Sequence, residues 1–215
     1  MIIITGASSG LGKEVAKLYN ETGKIIVNIS RHKCEFATHN LLHDLSKGSE
    51  IEVAAREVLA MNEPIEAIIH AAGVFSDQPF GKITESEVER TMATNVKSGI
   101  LLTSCLIDRL KNDSADILNI VSTAGTKGNP DHPVYAASKW AERGYTQALQ
   151  AELKKTACRV ISFCPGGMKT DFFENANNDT DTSNFMQPQD VALFIKQTLD
   201  LPKSVEVSEV IINRK

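Results

Sequence analysis

The sequence is poor in cysteine and lacks the cysteine pairs that bind metal or form redox centres. It contains 4 cysteines, with no CxxC pair among them. Their spacing matches no zinc-binding pattern, so we expect no metal site. Cys105, Cys158 and Cys164 lie in apolar stretches, and we interpret them as small, buried and reduced side chains.

Long apolar runs and an excess of positive charge are also missing. No run approaches the ~18 apolar residues of a membrane span, and the first residues have the pattern of a strand rather than of a signal peptide. With 23 basic and 27 acidic residues, the net charge is −4. We therefore expect neither a nucleic acid nor a membrane as partner. A cytoplasmic location is the default expectation.

The sequence does contain apolar runs of strand length that alternate with amphipathic stretches of helix length. The runs are rich in Ile and Val and apolar on both faces, as buried parallel strands are. We predict strands at 1–4, 24–29, 40–43 (weakly), 65–70, 115–122, 158–163 and 207–213. We predict helices at 10–22, 48–61, 85–111, 134–155 and 189–199. This alternation predicts a single α/β domain over residues 1–215, with a doubly wound parallel sheet and helices on both faces.

Two segments break the alternation. Residues 31–40 are too short and polar for a connecting helix. Residues 171–188 are polar with an aromatic start, and we interpret them as a mobile loop. Ligands of open α/β sheets bind beyond the carboxyl ends of the strands. A lid over a ligand is therefore as well supported here as a plain solvated connection.

A glycine-rich turn, TGASSGLG from Thr5, connects the first strand to the first helix. Glycine has no Cβ, so a pyrophosphate can approach the backbone closely. The helix that follows directs free N–H groups toward such an anion, and Ser8 and Ser9 add hydroxyl donors. A flexible turn would look similar, but the strand–turn–helix context is that of a Rossmann-like dinucleotide site. The spacing Thr-Gly-x-x-x-Gly-x-Gly resembles the glycine motif of the short-chain dehydrogenase/reductase family.

The residues after the second strand favour NADP(H) over NAD(H). In dinucleotide folds, a carboxylate about 20 residues beyond the glycines binds the ribose 2′-OH of NAD. Arg31 and Lys33, in NISRHK, stand in that region here. A guanidinium can bind a 2′-phosphate bidentately. The alternative interpretation is that both residues are solvated surface charges.

Four residues further along the chain suggest carbonyl chemistry. Tyr135 and Lys139, in VYAASKW, lie on one face of a predicted helix, and a nearby ammonium lowers the pKa of a phenol. Ser122 ends a buried strand, where its hydroxyl can stabilise charge on a substrate oxygen. Asn95 is a polar residue in an apolar helical stretch and needs a hydrogen-bond partner. A bond to its own backbone is the structural alternative for Asn95.

Together with the glycine turn, these four residues resemble the short-chain dehydrogenase/reductase pattern in order and spacing over nearly the whole chain. The resemblance implies a Rossmann-like enzyme that interconverts a carbonyl and an alcohol by hydride transfer. It implies Tyr135 as the general acid/base and Lys139 as the residue that binds the nicotinamide ribose and lowers the pKa of Tyr135. It also implies that Ser122 orients the carbonyl and that Asn95 supports a water in the proton relay to Lys139.

The resemblance also implies a set of cofactor-binding residues. PGGMKTD, from Pro165, is similar to the family turn whose threonine, here Thr170, contacts the nicotinamide carboxamide. Asp44 and Leu45 would lie beside the adenine, although an isolated Asp after a strand is otherwise often a helix cap. The full predicted set is Gly6, Ser8, Ser9, Gly10, Leu11, Gly12, Arg31, Asp44, Leu45, Ala72, Gly73, Tyr135, Lys139, Pro165, Gly166 and Thr170.

One motif departs from the family pattern, because His70-Ala71-Ala72-Gly73 replaces Asn-Asn-Ala-Gly after the fourth strand. This puts local hydrogen bonds in doubt rather than the chemistry. We interpret His70 as structural. His132 is equally compatible with the substrate mouth and with an exposed loop, and Trp140 with the core or a subunit contact.

The resulting hypothesis is an NADP(H)-dependent oxidoreductase for a small-molecule carbonyl or alcohol. The alternatives are a 3-oxoacyl thioester reductase and a non-catalytic NADP(H)-binding regulator. Through the resemblance we also expect a homodimer or homotetramer, in which the helices at 85–111 and 134–155 pair across a two-fold axis.

Overall fold

The structure, a computed structural model, describes residues 1–176 and 178–215. One parallel sheet of seven strands has the order β3-β2-β1-β4-β5-β6-β7. The strands are β1 (Ile2–Thr5), β2 (Ile26–Ser30), β3 (His39–Leu42), β4 (Ala67–His70), β5 (Asp116–Ile120), β6 (Val160–Pro165) and β7 (Glu209–Ile212). The strand order reverses between β1 and β4, and such a switch point is where open α/β sheets bind ligands. The predicted doubly wound, Rossmann-like fold is confirmed.

The helices occupy both faces of this sheet. They are α1 (Gly10–Asn20), α2 (Gly48–Leu59), α3 (Glu85–Met92), α4 (Ser98–Asp113), α5 (Pro133–Leu153) and α6 (Pro188–Leu199). The single helix predicted over 85–111 is interrupted, because a π-helical turn over Ala93–Lys97 joins α3 to α4. Such a turn inserts an extra residue into a helix and is frequent at functional sites. Residues 31–38 form no helix, as predicted.

The central strands are apolar on both faces because two hydrophobic cores flank the sheet. Ile3, with side chains of α2 and α4, belongs to one core. Ile2 and Ile4 belong to the other, together with side chains of α1 and α6. Each fully buried isoleucine contributes roughly 1.5–3 kcal/mol of transfer free energy. This two-sided burial explains the continuous Ile- and Val-rich runs.

The prediction for the cysteines is correct for two of the three residues interpreted. Cys158 and Cys164 are buried free thiols, whereas Cys105 is exposed. Leu102 and Leu106 of α4 are fully buried. Cys105 lies outside that stripe of the helix, which is why an apolar neighbourhood in sequence did not bury it.

At the amino edge of the sheet, a buried ion pair fixes β5 to β6. Arg159 contacts Asp116 at 2.6 Å, and both side chains are 5% exposed. Lys203 reaches the other carboxylate oxygen of Asp116, also at 2.6 Å. This cluster lies at the edge opposite the strand ends that carry the candidate site. Within the described ranges, none of the helices is both long and apolar enough to cross a bilayer.

Candidate active site

The glycine turn after β1 has a backbone shape that other residues would not fit. Gly6 and Gly10 have φ angles of 72° and 52°. A Cβ on Gly6 would lie 2.8 Å from the Cα of Ala72, and one on Gly12 would lie 2.5 Å from the carbonyl oxygen of Gly6. Ser9 makes no side-chain capping bond, and the first turn of α1 carries no acidic residue. The turn therefore fits the diphosphate of a dinucleotide.

Two other predicted cofactor segments lie against this turn. The hydroxyl of Thr5 accepts hydrogen bonds from the N–H groups of Ala71 and Ala72, each at 3.1 Å. This fixes the chain that leads to Gly73 beside β1. Thr170 comes from the segment after β6, and its methyl carbon lies 3.6 Å from the position of a Cβ on Gly10. The structure thus brings together segments that are far apart in sequence.

The turn after β6 is closely packed. Pro165 ends β6, and the N–H of Gly166 donates to the carbonyl of Ile212 in β7 at 2.8 Å. A Cβ on Gly167 would lie 2.5 Å from the ring of Phe185. The second glycine of this motif therefore gives room to an aromatic ring of the 171–188 loop.

The loops after β2 and β3 carry the predicted adenosine-end residues. Arg31 and Lys33 are exposed after the end of β2. Asp44 accepts hydrogen bonds from the N–H and hydroxyl of Ser46, at 3.0 and 2.7 Å. Burial raises the pKa of Asp44, but the bonds from Ser46 and the nearby basic residues outweigh it, so that the net pKa is lowered. Asp44 is not the helix cap of the alternative interpretation, because Lys47 is the N-cap residue of α2.

Two predicted cofactor residues are turned into the core. Leu11 and Leu45 are 7% and 5% exposed, respectively, and each belongs to one of the two hydrophobic cores. Their side chains leave little surface for a cofactor. Ser8 is half-buried and Ser9 is exposed at the glycine turn.

Tyr135 and Lys139 lie on α5, beside the turn that follows β5. The Lys139 Nζ lies 5.9 Å from the centroid of the Tyr135 ring and donates to the carbonyl of Ile120 at 2.8 Å. Ser122 begins the short turn after β5, and its hydroxyl accepts from the N–H of Ala124 at 3.1 Å. The hydroxyl also acts on the Tyr135 phenol and lowers its pKa. Three of the four predicted catalytic residues are therefore neighbours at the carboxyl edge of the sheet.

The predicted low pKa of Tyr135 is not found. Burial raises the pKa of its phenol, and the Glu142 carboxylate adds to this effect. Lys139 and Ser122 act in the predicted direction, but burial outweighs them and the net pKa lies above its ordinary value. The prediction took account of the lysine, which lowers the pKa, but the sequence did not reveal the aromatic rings that bury the phenol and raise it.

Asn95 lies in the π-helical turn and is 3% exposed. Its side-chain oxygen accepts from the N–H of Val74 at 2.8 Å. Its amide nitrogen donates to the carbonyl of Val74 and to the hydroxyl of Ser138, each at 3.0 Å. Asn95 is thus bonded to the segment after β4 and to α5, not to its own backbone. A Cβ on Gly73 would lie 3.5 Å from the Asn95 oxygen and 3.9 Å from the Lys139 Nζ.

An aromatic cluster covers Tyr135. Phe75, which the sequence analysis did not identify, packs edge-on at 5.1 Å between ring centroids. Phe172 of the 171–188 loop lies 6.0 Å from Tyr135, and Phe173 lies 4.9 Å from Phe75. The segment predicted as a lid or a solvated connection therefore packs over the site with its aromatic start. Asn177, within that segment, lies outside the described residues.

A buried carboxylate beside the lysine was also missed. The Glu142 Oε2 lies 2.7 Å from the Lys139 Nζ, and the side chains are 8% and 5% exposed. Their three-residue spacing on a helix is the one signal that could have found this pair.

Three further residues can be placed. His70 is buried and its Nε2 lies 2.9 Å from the hydroxyl of Thr103. Burial lowers its pKa to about 4, so the ring is neutral, which fits the structural interpretation. His132 packs against the Phe75 ring at 4.6 Å, beside the site rather than in an exposed loop. Trp140 is 46% exposed, so a place in the core is wrong for this residue.

A Rossmann-like sheet with a glycine turn after its first strand and a tyrosine–lysine pair at its carboxyl edge is characteristic of NAD(P)-dependent oxidoreductases. The family model for short chain dehydrogenases matches residues 1–181, and the chain belongs to that family.

Known relatives agree with this assignment. An uncharacterized oxidoreductase of Staphylococcus aureus (strain USA300) is 31% identical over 98% of this chain and 95% of its own length. A 3-ketodihydrosphingosine reductase of Bacteroides thetaiotaomicron is 31% identical over 82% of this chain and 67% of its own length. The crystal structure of a short-chain dehydrogenase/reductase from Vibrio parahaemolyticus is 28% identical. The two chains superpose over 100% of both lengths, with a TM-score of 0.87.

Proposed function

We propose that this protein is an NADP(H)-dependent oxidoreductase that interconverts a carbonyl and an alcohol on a small molecule. The observation that carries the proposal is the convergence of Tyr135, Lys139 and Ser122 at the carboxyl edge of the sheet, where the glycine turn also lies. Each residue type suits one part of carbonyl chemistry, and no other cluster at this edge offers the same combination among the described residues.

The chain contributes proton transfer, orientation and water exclusion. Tyr135 exchanges a proton with the substrate oxygen, and Ser122 orients that oxygen by hydrogen bonding. Lys139 binds the ribose side of the cofactor and favours the ionised form of Tyr135 electrostatically. Asn95 holds the segment around Gly73 in place. The bound nicotinamide supplies or accepts the hydride.

The preference for NADP(H) rests on Arg31. Its guanidinium is exposed just beyond β2. Lys13, the basic residue of α1 next to the glycine turn, is instead paired with Glu35 at 2.8 Å. Arg31 is therefore the group that we assign to the 2′-phosphate.

The aromatic cluster favours a substrate with an apolar group beside its carbonyl. Phe75 and Phe172 present ring edges to Tyr135, and apolar walls of this kind bind by excluding water. The name of the Bacteroides relative makes a ketone a reasonable first substrate to test.

Two alternatives have less support. A 3-oxoacyl thioester on an acidic carrier calls for basic residues at the mouth, and Lys127 and Lys169 are few for this purpose. A non-catalytic regulator would need only the cofactor site. Tyr135, Lys139 and Ser122 are all present and adjacent, which favours an enzyme.

The test is a panel of aldehydes, ketones, diketones and a 3-oxoacyl thioester, each assayed with NADPH and with NADH. We expect NADPH oxidation with apolar carbonyl compounds, and its loss in a Tyr135→Phe variant that still binds NADPH by fluorescence. Binding of NADPH without turnover of any compound would support the regulator instead. Equal turnover with NADH and NADPH would contradict the proposed cofactor preference.

A further inference from the structure

Glu142 places a negative charge next to Lys139, the candidate catalytic lysine. The Lys139 Nζ donates to the Glu142 Oε2 at 2.7 Å and to the carbonyl of Ile120 at 2.8 Å. Two strong acceptors on different elements, α5 and β5, thus fix the ammonium in place. Both charged side chains are almost entirely removed from solvent.

Because the pair is buried, Lys139 needs a nearby negative charge to stay protonated. An ammonium inside a protein tends to lose its proton, because a low dielectric disfavours charge. Burial alone lowers the pKa of Lys139, but the Glu142 carboxylate, its hydrogen bond and the nearby Tyr135 oxygen together outweigh burial, so that the net pKa is raised. Burial raises the pKa of Glu142 to about 6 against the opposing effect of Lys139, so Glu142 is still mainly a carboxylate at neutral pH.

The other charged and titratable groups around the pair do not supply the negative charge that stabilises the Lys139 ammonium. The thiol of Cys164, from β6, stays neutral because burial raises its pKa. Glu209, from β7, forms two contacts of 2.7 Å with Arg143, so this carboxylate is already matched by its own cation. The neighbouring side chains of Asn95, from the π-helical turn, and of Ser122, after β5, are uncharged.

We propose that Glu142 is a positioning residue that keeps Lys139 charged and fixed beside Tyr135. This inference rests on the proposed function, because it assigns a role to the lysine of the same site. Glu142 does not touch substrate or cofactor in this proposal; it acts through Lys139. Its carboxylate also opposes ionisation of Tyr135, so removing its charge makes the Tyr135–Lys139 pair release its first proton at lower pH.

The first experiment is the pH profile of kcat for reduction with NADPH, in the wild type and in Glu142→Gln. Reduction requires a protonated Tyr135 and a charged Lys139, so activity falls at alkaline pH as the pair releases a proton. We expect the midpoint of this fall to move down by about one pH unit in Glu142→Gln. Glu209→Gln removes a neighbouring carboxylate without touching Lys139, and we expect it to keep the wild-type midpoint.

A purely structural role for Glu142 predicts a different result. The variant would then lose thermal stability or active fraction, but its midpoint would equal that of the wild type. An unchanged midpoint in folded Glu142→Gln would overturn the proposal.

A second measurement needs neither this variant nor a substrate. Carbon-13 titration of the glutamate carboxyls in the wild type is expected to show one group with a midpoint near 6. In Lys139→Met the same midpoint should rise by about one pH unit, because the ammonium that favours the carboxylate is gone. If no carboxyl midpoint moves, the pair does not exist and the inference fails. Failure of the substrate panel alone would leave this result intact and count only against the proposed function.

Discussion

At the scale of single residues, Tyr135 is a phenol under opposing influences. Burial and the Glu142 carboxylate raise its pKa, while Lys139 and Ser122 lower it. The net effect keeps the proton on the phenol at neutral pH, and a protonated phenol is the form that can donate to a carbonyl oxygen. This protonation state is the one that the proposed reduction of a carbonyl requires.

Replacing Tyr135 by Phe removes this proton and leaves the ring in the aromatic cluster. We expect kcat to fall by about 10²–10⁴-fold, the usual contribution of a general acid. NADPH affinity, measured by fluorescence titration, should change little, because the proposed contacts with NADPH are mainly those of the glycine turn and Arg31. A variant with wild-type kcat would remove Tyr135 from the mechanism.

Arg31 allows the cofactor preference to be tested at one residue. In Arg31→Ala we expect NADPH to bind about 10–100-fold more weakly, as for a lost charged hydrogen bond of about 1.5–3 kcal/mol. NADH affinity should stay near the wild-type value, because NADH has no 2′-phosphate. Arg56→Ala, an exposed arginine of α2, serves as the control. Equal losses for both cofactors would contradict the assigned contact.

At the scale of secondary-structure elements, the turn between β1 and α1 is closely packed and is also the proposed diphosphate site. In Gly12→Ala the new Cβ would lie 2.5 Å from the carbonyl oxygen of Gly6, so the turn must shift. We expect a loss of about 1–3 kcal/mol in the free energy of unfolding, together with weaker NADPH binding. Urea denaturation and fluorescence titration measure the two effects.

Gly48→Ala is the matched control for that turn. Gly48 begins α2, and its new Cβ would meet nothing closer than Leu101, at 3.8 Å. Alanine is the better helix former, so we expect unchanged or slightly higher stability and normal NADPH binding. If both variants behaved alike, the close approach of Gly12 to Gly6 would not be what requires glycine there.

The elements that could be predicted are those whose pattern repeats along the chain. Strands such as β1 and β4 are continuous apolar runs with both faces buried, and the glycine turn and the Tyr135–Lys139 spacing are local motifs. The π-helical turn is different, because the apolar periodicity continues through it. Only the contacts of Asn95 with Val74 and Ser138 reveal why the helix is broken there.

The parts that could not be predicted depend on contacts between distant segments. Phe75 covers Tyr135 because the loops after β4 and β6 meet above the sheet, and no local pattern encodes that meeting. The exposure of Cys105 depends on which side of α4 faces the sheet. The net pKa of Tyr135 follows from the same distant packing, so its predicted sign was wrong.

At the scale of the whole molecule, stability and chemistry occupy opposite edges of the sheet. The buried Asp116–Arg159 pair lies at the amino edge, whereas the glycine turn and Tyr135 lie at the carboxyl edge. Breaking a buried ion pair costs about 3–5 kcal/mol, so the amino edge tolerates little change. The carboxyl edge is formed by turns and loops, which tolerate change more readily.

An apolar groove on the outer face of the α3–α4 region favours the predicted oligomer. Its apolar lining includes Met92, Val96 and Ile100, with the charged Glu89 and Lys97 beside them. We expect light scattering to show a dimer or tetramer of the wild type. In Val96→Glu, a charge on this face should shift the distribution toward monomer.

Leu193 provides the control for this prediction. It is 47% exposed on α6, a helix that packs with α1 in the hydrophobic core on the opposite face of the sheet from α4. We expect Leu193→Glu to keep the wild-type mass. A wild-type protein that is monomeric at all concentrations would reject the oligomer, and equal dissociation of both variants would reject this surface.

The π-helical turn predicts an unusual response to a one-residue deletion between Ala93 and Lys97. In an ordinary α-helix, such a deletion would rotate everything beyond it by about 100°. Here the turn already contains one extra residue, so the deletion would restore ordinary winding and leave α3 and α4 in phase. Leu102 and Leu106 would stay in the core, whereas Asn95 would lose the turn that holds it against Val74. The fold would therefore survive a deletion that removes the contacts of Asn95.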